Sequence, residues 1–178
     1  MKPVRARYGR IEQVVGNLLA ENHVLRAPVP VEDIAEACGA HVQVHEFNNE
    51  ISGMLLRAND QQIIAVERSQ SPVRRRFTIA HELGHLLLHG GLEVRLDTDF
   101  KINFRDSTSS TAVDVEEVEA NAFAASLLMP QQFLQQDLRD RFVDVEDEAM
   151  IRDLARTYHV SVQAMTIRIA TLMNLHRL

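Results

Sequence analysis

The sequence predicts an α+β fold, and three observations carry that expectation. Apolar residues recur at helical spacing in the first forty or so positions, alternate between about 41 and 66, and return to helical spacing afterwards. Each change of period is punctuated by turn-forming residues: Pro28 and Pro30, Gly39, Asn48-Asn49 and Asn59-Asp60. With 178 residues, 46% hydrophobic and 25% charged, the chain is long and apolar enough for one packed core. We therefore expect a single domain over 1–178. It would hold helices and a sheet over about 1–70, two long helices over 71–130, and a helical subdomain over 131–178.

The elements follow in order. Ile11 to Glu21 reads as a helix with Val14, Val15, Leu18 and Leu19 as its apolar set. A stiff connector, Arg26-Ala-Pro-Val-Pro30, leads to a short helix over Val31 to Ala37, stopped by Gly39. Val42 and Val44 then alternate with polar residues, and strands are expected at about 41–47, 51–57 and 61–66. These should form a small, largely antiparallel sheet. The segment Ile51-Ser-Gly-Met-Leu55 is read as a sheet edge, either plain or able to take an extended peptide as an added strand. His41 and His45 share one side of the first strand and read as surface residues.

Ser71 followed by Pro72 is an N-cap with proline at the first helical position, opening a helix that Gly90-Gly91 ends. Leu96 to Asp114 is polar and reads as a loop beside the cleft, a candidate lid anchored by Phe100 and Phe104. A second helix runs to Pro130, with Asp114 as its expected N-cap and Glu117 at the third helical position. Met150 to Leu175 reads as two helices turning at Tyr158-His159-Val160, with Ser161 capping the second.

The first long helix carries His81-Glu82-Leu83-Gly84-His85. Histidines four apart lie almost one turn apart on the same face and can grip one metal ion. Glu82 lies about 100° round the axis from His81, beside such an ion, where a carboxylate can take a proton from an attacking water. Five residues can match by chance, and histidines on apolar helices are often core residues. Here the helix is capped, uninterrupted by proline and flanked by Phe77, Ile79, Leu83 and Leu86, which favours the metal reading. Gly84 lowers helix propensity and so calls for a reason; close approach of another backbone is one.

A hydrolytic zinc site needs a third protein ligand. His89 is unsuitable, because eight residues of straight helix separate it from His81 by about 12 Å. A carboxylate on the second helix is the better candidate. Glu117 is favoured over Glu119 because Asn121, one turn on, could accept the second ring N–H of a ligating histidine. The competing reading has Glu116, Glu117 and Glu119 decorating an exposed first turn, favoured there by the helix dipole; that reading suits Glu116 and Glu119.

Arg-Arg-Phe-Thr-Ile-Ala-His-Glu-Leu-Gly-His-Leu-Leu-Leu-His (Arg75 to His89) followed by Glu-x-x-Ala-Asn-x-Phe-Ala-Ala-x-Leu-Leu-Met-Pro (Glu117 to Pro130) resembles the ImmA/IrrE family of bacterial metallopeptidases. The resemblance implies a zincin-like fold and a zinc-dependent, gluzincin-like site. It implies His81, His85 and Glu117 as ligands and Glu82 as the catalytic acid/base. It also implies a protein substrate, typically a helix-turn-helix repressor encoded beside the peptidase and cleaved to relieve repression. Zn2+ is the expected ion, although His and carboxylate ligands also accept Mn2+ or Fe2+.

Composition narrows the alternatives. A formal charge of -6 gives no general attraction for nucleic acid or anionic membrane, so neither is expected as a partner. Cys38 is the one cysteine, which excludes an internal disulfide and suits a cytoplasmic protein, as does the lack of a leader or membrane-length apolar run. This C-terminal pair resembles a helix-turn-helix, but its second helix offers Gln163, Arg168 and little else to a duplex, so packing or partner docking is preferred to DNA reading there. A deformylase would want a cysteine ligand, and Cys38 lacks a supporting motif. A zincin-like scaffold that binds a repressor without cleaving it is the remaining alternative. The donor for the reaction's oxyanion stays open among Tyr158, His159 and Arg76.

Overall fold

The changes of period become element boundaries in the computed structural model. It describes residues 5–47, 51–58, 61–90, 94–98, 112–139, 144–145, 147–175 and 177–178. Helices α1 (Tyr8–Glu21) and α2 (Val31–Ala37) precede strands β1 (Ala40–His45), β2 (Ile51–Ala58) and β3 (Gln61–Glu67). Helix α3 (Pro72–Leu88), strand β4 (Val94–Thr98) and helix α4 (Ala112–Leu128) follow. Helices α5 (Gln131–Asp137), α6 (Glu148–Tyr158) and α7 (Val162–Asn174) complete the described residues. The fold is α+β, as expected. Gly39, at φ +83°, supplies the left-handed residue that turns α2 into β1.

The sheet is largely antiparallel, as expected, with one parallel pairing. Its order is β1-β3-β2-β4. β2 pairs antiparallel with both β3 and β4, but β1 runs parallel to β3, with His41 opposite Ile63. The burial pattern explains the order. Ile64, Ala65 and Val66 are all buried, the mark of a strand covered on both faces, so β3 takes an inner position with a neighbour on either side. Period-2 alternation says which face a side chain takes, not which strand lies alongside.

The assignment of Ile51 to Leu55 as a sheet edge is corrected by the same pairing. β2 is an inner strand, with Leu55 opposite both Ile64 and Arg95. Its outer side is covered by β4, a strand the sequence did not suggest. Among the described residues, the edges are β1 and β4. The loop expected from Leu96 to Asp114 is shorter than that, since 96–98 end β4 and 112–114 begin α4; its middle and the anchors Phe100 and Phe104 lie outside the described residues. His41 and His45 are exposed on β1, as expected.

Helix α3 starts as its cap predicts, with Ser71 Oγ accepting the Arg74 N–H at 3.3 Å. From Phe77 to His85 every residue of α3 is buried, because the sheet covers one side and α4 the other. The reason for Gly84 is the α4 backbone: a Cβ there would stand 3.2 Å from Ala120 Cα and 3.0 Å from Phe123 Cδ1. Helix α4 starts at Ala112, so Asp114 lies inside its first turn and is not the N-cap; alanine's high helix propensity carries the helix back past it.

The C-terminal helices form a packing unit. Ser161 Oγ caps α7 through the Ala164 N–H at 3.1 Å, and His159 turns the chain at φ +54°. Met165, Ile169 and Leu172 face the core. Arg168, the main base-contacting candidate, is only 8% exposed and donates from Nε to the Met129 carbonyl at 3.1 Å. No helix among the described residues is long and apolar enough to cross a membrane.

Candidate metal centre

His81 and His85 lie one turn apart on the buried face of α3, exposed by 0% and 1%. Their Nε2 atoms are 2.9 Å apart. Glu117 reaches them from α4, with Oε2 at 3.3 Å from His81 Nε2 and Oε1 at 3.5 Å from His85 Nε2. Donors bound tetrahedrally to zinc at about 2.0–2.1 Å would be separated by about 3.3 Å. The observed edges bracket that length, so two imidazoles and one carboxylate fit a single metal ion. These three residues are the metal-compatible cluster among the described residues, with donor atoms all within 4.8 Å of one another.

Electrostatics favours the protonation states such a site requires. Burial pushes His85 down to about 4 despite the carboxylate of Glu117 beside it, so its imidazole is neutral near pH 7. Burial opposes ionisation of Glu117, but the adjoining imidazoles of His81 and His85 hold it well below the usual carboxylate range. Asn121 stands where the sequence suggested: its Oδ1 is 3.1 Å from His81 Nδ1. An amide oxygen can only accept, so Nδ1 carries the proton and the Nε2 lone pair is turned to the cluster.

Glu82 is fully buried and lies outside the converging donors. It packs against β2 at Gly53, where a Cβ would come within 2.6 Å of Oε1. A side chain of any size at 53 would occupy the carboxylate's place.

Three cations escaped the sequence reading. Arg95 on β4 bonds Glu117 through Nη2 and lies 3.4 Å from Glu116 Oε2 through Nη1. Arg57 on β2 donates to the carbonyls of His85 and His89 at 2.9 and 3.0 Å, closing the C-terminal end of α3. Arg7, just before α1, grips Glu119 through its backbone N–H, Nε and Nη2 at 2.6, 2.8 and 2.6 Å. The expectation that Glu116 and Glu119 decorate an exposed turn is therefore overturned. Glu119 is 0% exposed and Glu116 9%, because the N-terminal segment and β4 bring arginines to them. Strand and terminal arginines carry no local signal of such partners.

Two of the three oxyanion candidates are bonded to other groups, and the third is exposed. The Tyr158 hydroxyl donates to Asp137 Oδ2 at 2.7 Å, Arg76 donates to the Val29 carbonyl at 2.7 Å, and His159 is exposed at the end of α6. Cys38 caps α2, half-buried, with its thiol pushed up by burial.

The profile of the IrrE N-terminal-like domain, Peptidase_M78, matches residues 35–170, a span that includes both helices of this site. The chain belongs to that family. Among the family's curated relatives, the radiation response metalloprotease IrrE of Deinococcus radiodurans is 33% identical over 73 residues, 40% of this chain and 20% of that protein. IrrE of Deinococcus deserti is 34% identical over 84 residues, 47% of this chain and 27% of the relative. An uncharacterized immunity region protein 2 of Bacillus phage phi105 is 31% identical over 98 residues, 55% of this chain and 57% of the phage protein. The chain thus spans between a fifth and three fifths of the length of these IrrE-like relatives. A Mycobacterium tuberculosis transcriptional regulator shares the fold, with a TM-score of 0.57, 14% identity, 88% of this chain covered and 45% of the other.

Proposed function

We propose that this protein is a zinc-dependent, site-specific endopeptidase in which His81, His85 and Glu117 hold the metal and Glu82 is the catalytic acid/base. The observation that carries the proposal is the convergence of the His81, His85 and Glu117 donors within 4.8 Å, beside a buried Glu82 on the same helix. A bound zinc ion supplies a Lewis acid for the scissile carbonyl and makes water acidic enough to lose a proton near neutral pH. Glu82 accepts that proton and later delivers it to the leaving amine. Gly53 leaves room for the carboxylate against the sheet, and Asn121 holds the His81 ring so that Nε2 faces the ion. Charge growing on the carbonyl oxygen needs a donor, and Arg95 is a cation that already reaches the cluster from β4.

The substrate we propose is a helix-turn-helix repressor, cleaved to relieve repression in the cytoplasm. The ImmA/IrrE resemblance supports the repressor, and the name metalloprotease carried by the two IrrE relatives supports a protein substrate. β4 is the strand we propose takes an extended segment of the substrate, since it is the sheet edge that carries Arg95 and exposes Val94 and Leu96. Mn2+ or Fe2+ could occupy the same donors.

The test mixes the purified, zinc-supplemented protein with the repressor encoded beside its gene, comparing wild type with Glu82→Gln. A discrete repressor fragment from wild type alone supports the endopeptidase. An uncleaved, stable complex with both proteins would replace it with the scaffold reading.

A further inference from the structure

A chain of buried polar groups runs from the N-terminal segment to the metal-compatible cluster, and no step of the proposed reaction uses it. His85 Nδ1 lies 3.0 Å from His89 Nδ1, and His89 Nε2 lies 2.9 Å from Glu119 Oε2. Glu119 in turn receives three N–H bonds from Arg7, whose Nη2 also lies 3.4 Å from the Leu88 carbonyl. His89 and Glu119 are 8% and 0% exposed. They sit one turn beyond His85 on α3 and two residues beyond Glu117 on α4.

The direction of every hydrogen bond in this chain follows from its ends. Glu119 takes the backbone N–H, Nε and Nη2 of Arg7 on its two carboxyl oxygens, so it meets His89 as an acceptor. A carboxylate can only accept, so His89 carries its proton on Nε2 and presents a bare Nδ1 to His85. His85 must then donate from Nδ1, which leaves the Nε2 lone pair facing His81 and Glu117. With these tautomers each contact of the relay pairs one N–H with one lone pair, and the bare Nε2 atoms of His81 and His85, 2.9 Å apart, are left for a metal ion to take. Asn121 imposes the same tautomer on His81 through a single amide. On His85 the same place is taken by His89, the first of three residues that end in a fixed cation.

We infer that Arg7, Glu119 and His89 are positioning residues that lock His85 in the Nε2-ligating tautomer and orientation, so that metal affinity depends on the N-terminal segment. The inference rests on the metal-site reading above. Hydrogen-bond partners of ligating histidines change metal affinity by about 10–100-fold when removed. The same dependence should reach Arg7, which belongs to neither metal-bearing helix and lies 112 residues from Glu119 in sequence.

The experiment measures affinity for Zn2+ by chelator competition, and the visible d–d spectrum of the Co2+-loaded protein. It compares wild type with Arg7→Ala, His89→Leu and His89→Gln. Glutamine keeps one acceptor and one donor on its terminal amide, whereas leucine keeps neither. We expect zinc affinity to fall about 10–100-fold in Arg7→Ala and His89→Leu, with an altered cobalt spectrum. His89→Gln should recover much of both. A merely structural role for the chain would lower thermal stability without moving the cobalt spectrum. Arg7, partly exposed at the rim, provides a variant that keeps the core if His89→Leu does not fold. Wild-type affinity and spectrum in Arg7→Ala, or in a folded His89→Leu, together with normal metal loading of wild type, would overturn the relay alone. Failure of wild type to bind either metal would overturn the metal site and the relay together.

Discussion

Gly53 on β2 and Glu82 on α3 are in such close contact that a Cβ on the glycine would stand 2.6 Å from the carboxylate Oε1. The same Cβ would meet Thr78 Cγ2 at 2.6 Å. The sheet therefore does more than support α3; it sets the position of the carboxylate proposed as the acid/base. Gly53→Ala should push Glu82 aside and cost about 1–3 kcal/mol through overpacking. A displacement of about 1 Å can cost on the order of 100-fold in rate. We expect peptidase activity to fall by that order while zinc loading stays near wild type, read by a cleavage assay beside metal analysis.

Gly84 separates two opposing effects. Alanine there would gain about 1 kcal/mol in helix propensity. Against that gain, its Cβ would press on the Ala120 backbone at 3.2 Å and on the buried ring of Phe123 at 3.0 Å. Neither neighbour is the free end of a flexible chain, so packing should win. Gly84→Ala is expected to lower the melting temperature and, by moving α4 away from α3, to weaken zinc binding through Glu117. A melting temperature above wild type would show that the two helices can separate without cost.

Metal removal should destabilise the fold as well as stop the reaction. The three donors come from two different helices, so an ion that binds only the folded chain ties α3 to α4. At a free concentration of about 100 times Kd the gain is about 2.7 kcal/mol, which for a domain of this size corresponds to roughly 5–10 °C in Tm. Thermal melts with zinc and with a chelator should differ by that amount in wild type. The difference should persist in Glu82→Gln, whose ligands are intact, and disappear in His81→Ala.

Arg168 tests the rival DNA-binding reading. It is buried against the Met129 carbonyl and lies 3.6 Å from Glu12 Oε1. Arg168→Met should cost about 1–3 kcal/mol by leaving that carbonyl without its donor, measured by denaturant unfolding. It should leave duplex binding as weak as in wild type at physiological salt. Salt-sensitive duplex binding that falls in this variant would restore the nucleic-acid reading.

Much of the site was legible because helical spacing is a local rule. His81 and His85 are four apart on one capped helix, and Glu117 and Asn121 are four apart on another, so each pair shares a face before any tertiary structure is known. Gly84 even announced the close approach between those helices. The parts that could not be read depend on contacts far apart in sequence. Glu119 looks like an ordinary acid of a first helical turn until Arg7 is brought to it by α1 packing on α4. His89 was rightly set aside as a ligand on one straight helix, yet its partner Glu119 lies on the next. β4 was hidden because Val94-Arg95-Leu96 is too short an alternation to stand out in a polar stretch. Its absence from the reading is what left β2 looking like an edge and left Arg95 unnoticed. The parallel pairing of β1 with β3 follows from which strand is covered on both sides, which alternation does not encode.

The central claim is that His81, His85 and Glu117 hold one catalytic metal ion, and zinc-edge anomalous diffraction from crystals of the zinc-loaded protein tests it most directly. We expect one strong peak about 2.0–2.2 Å from His81 Nε2, His85 Nε2 and a Glu117 carboxylate oxygen. Glu82 and His89 should stay outside bonding distance. A peak ligated by His89 or Glu119, or no ordered zinc at these residues at saturating metal, would contradict the account.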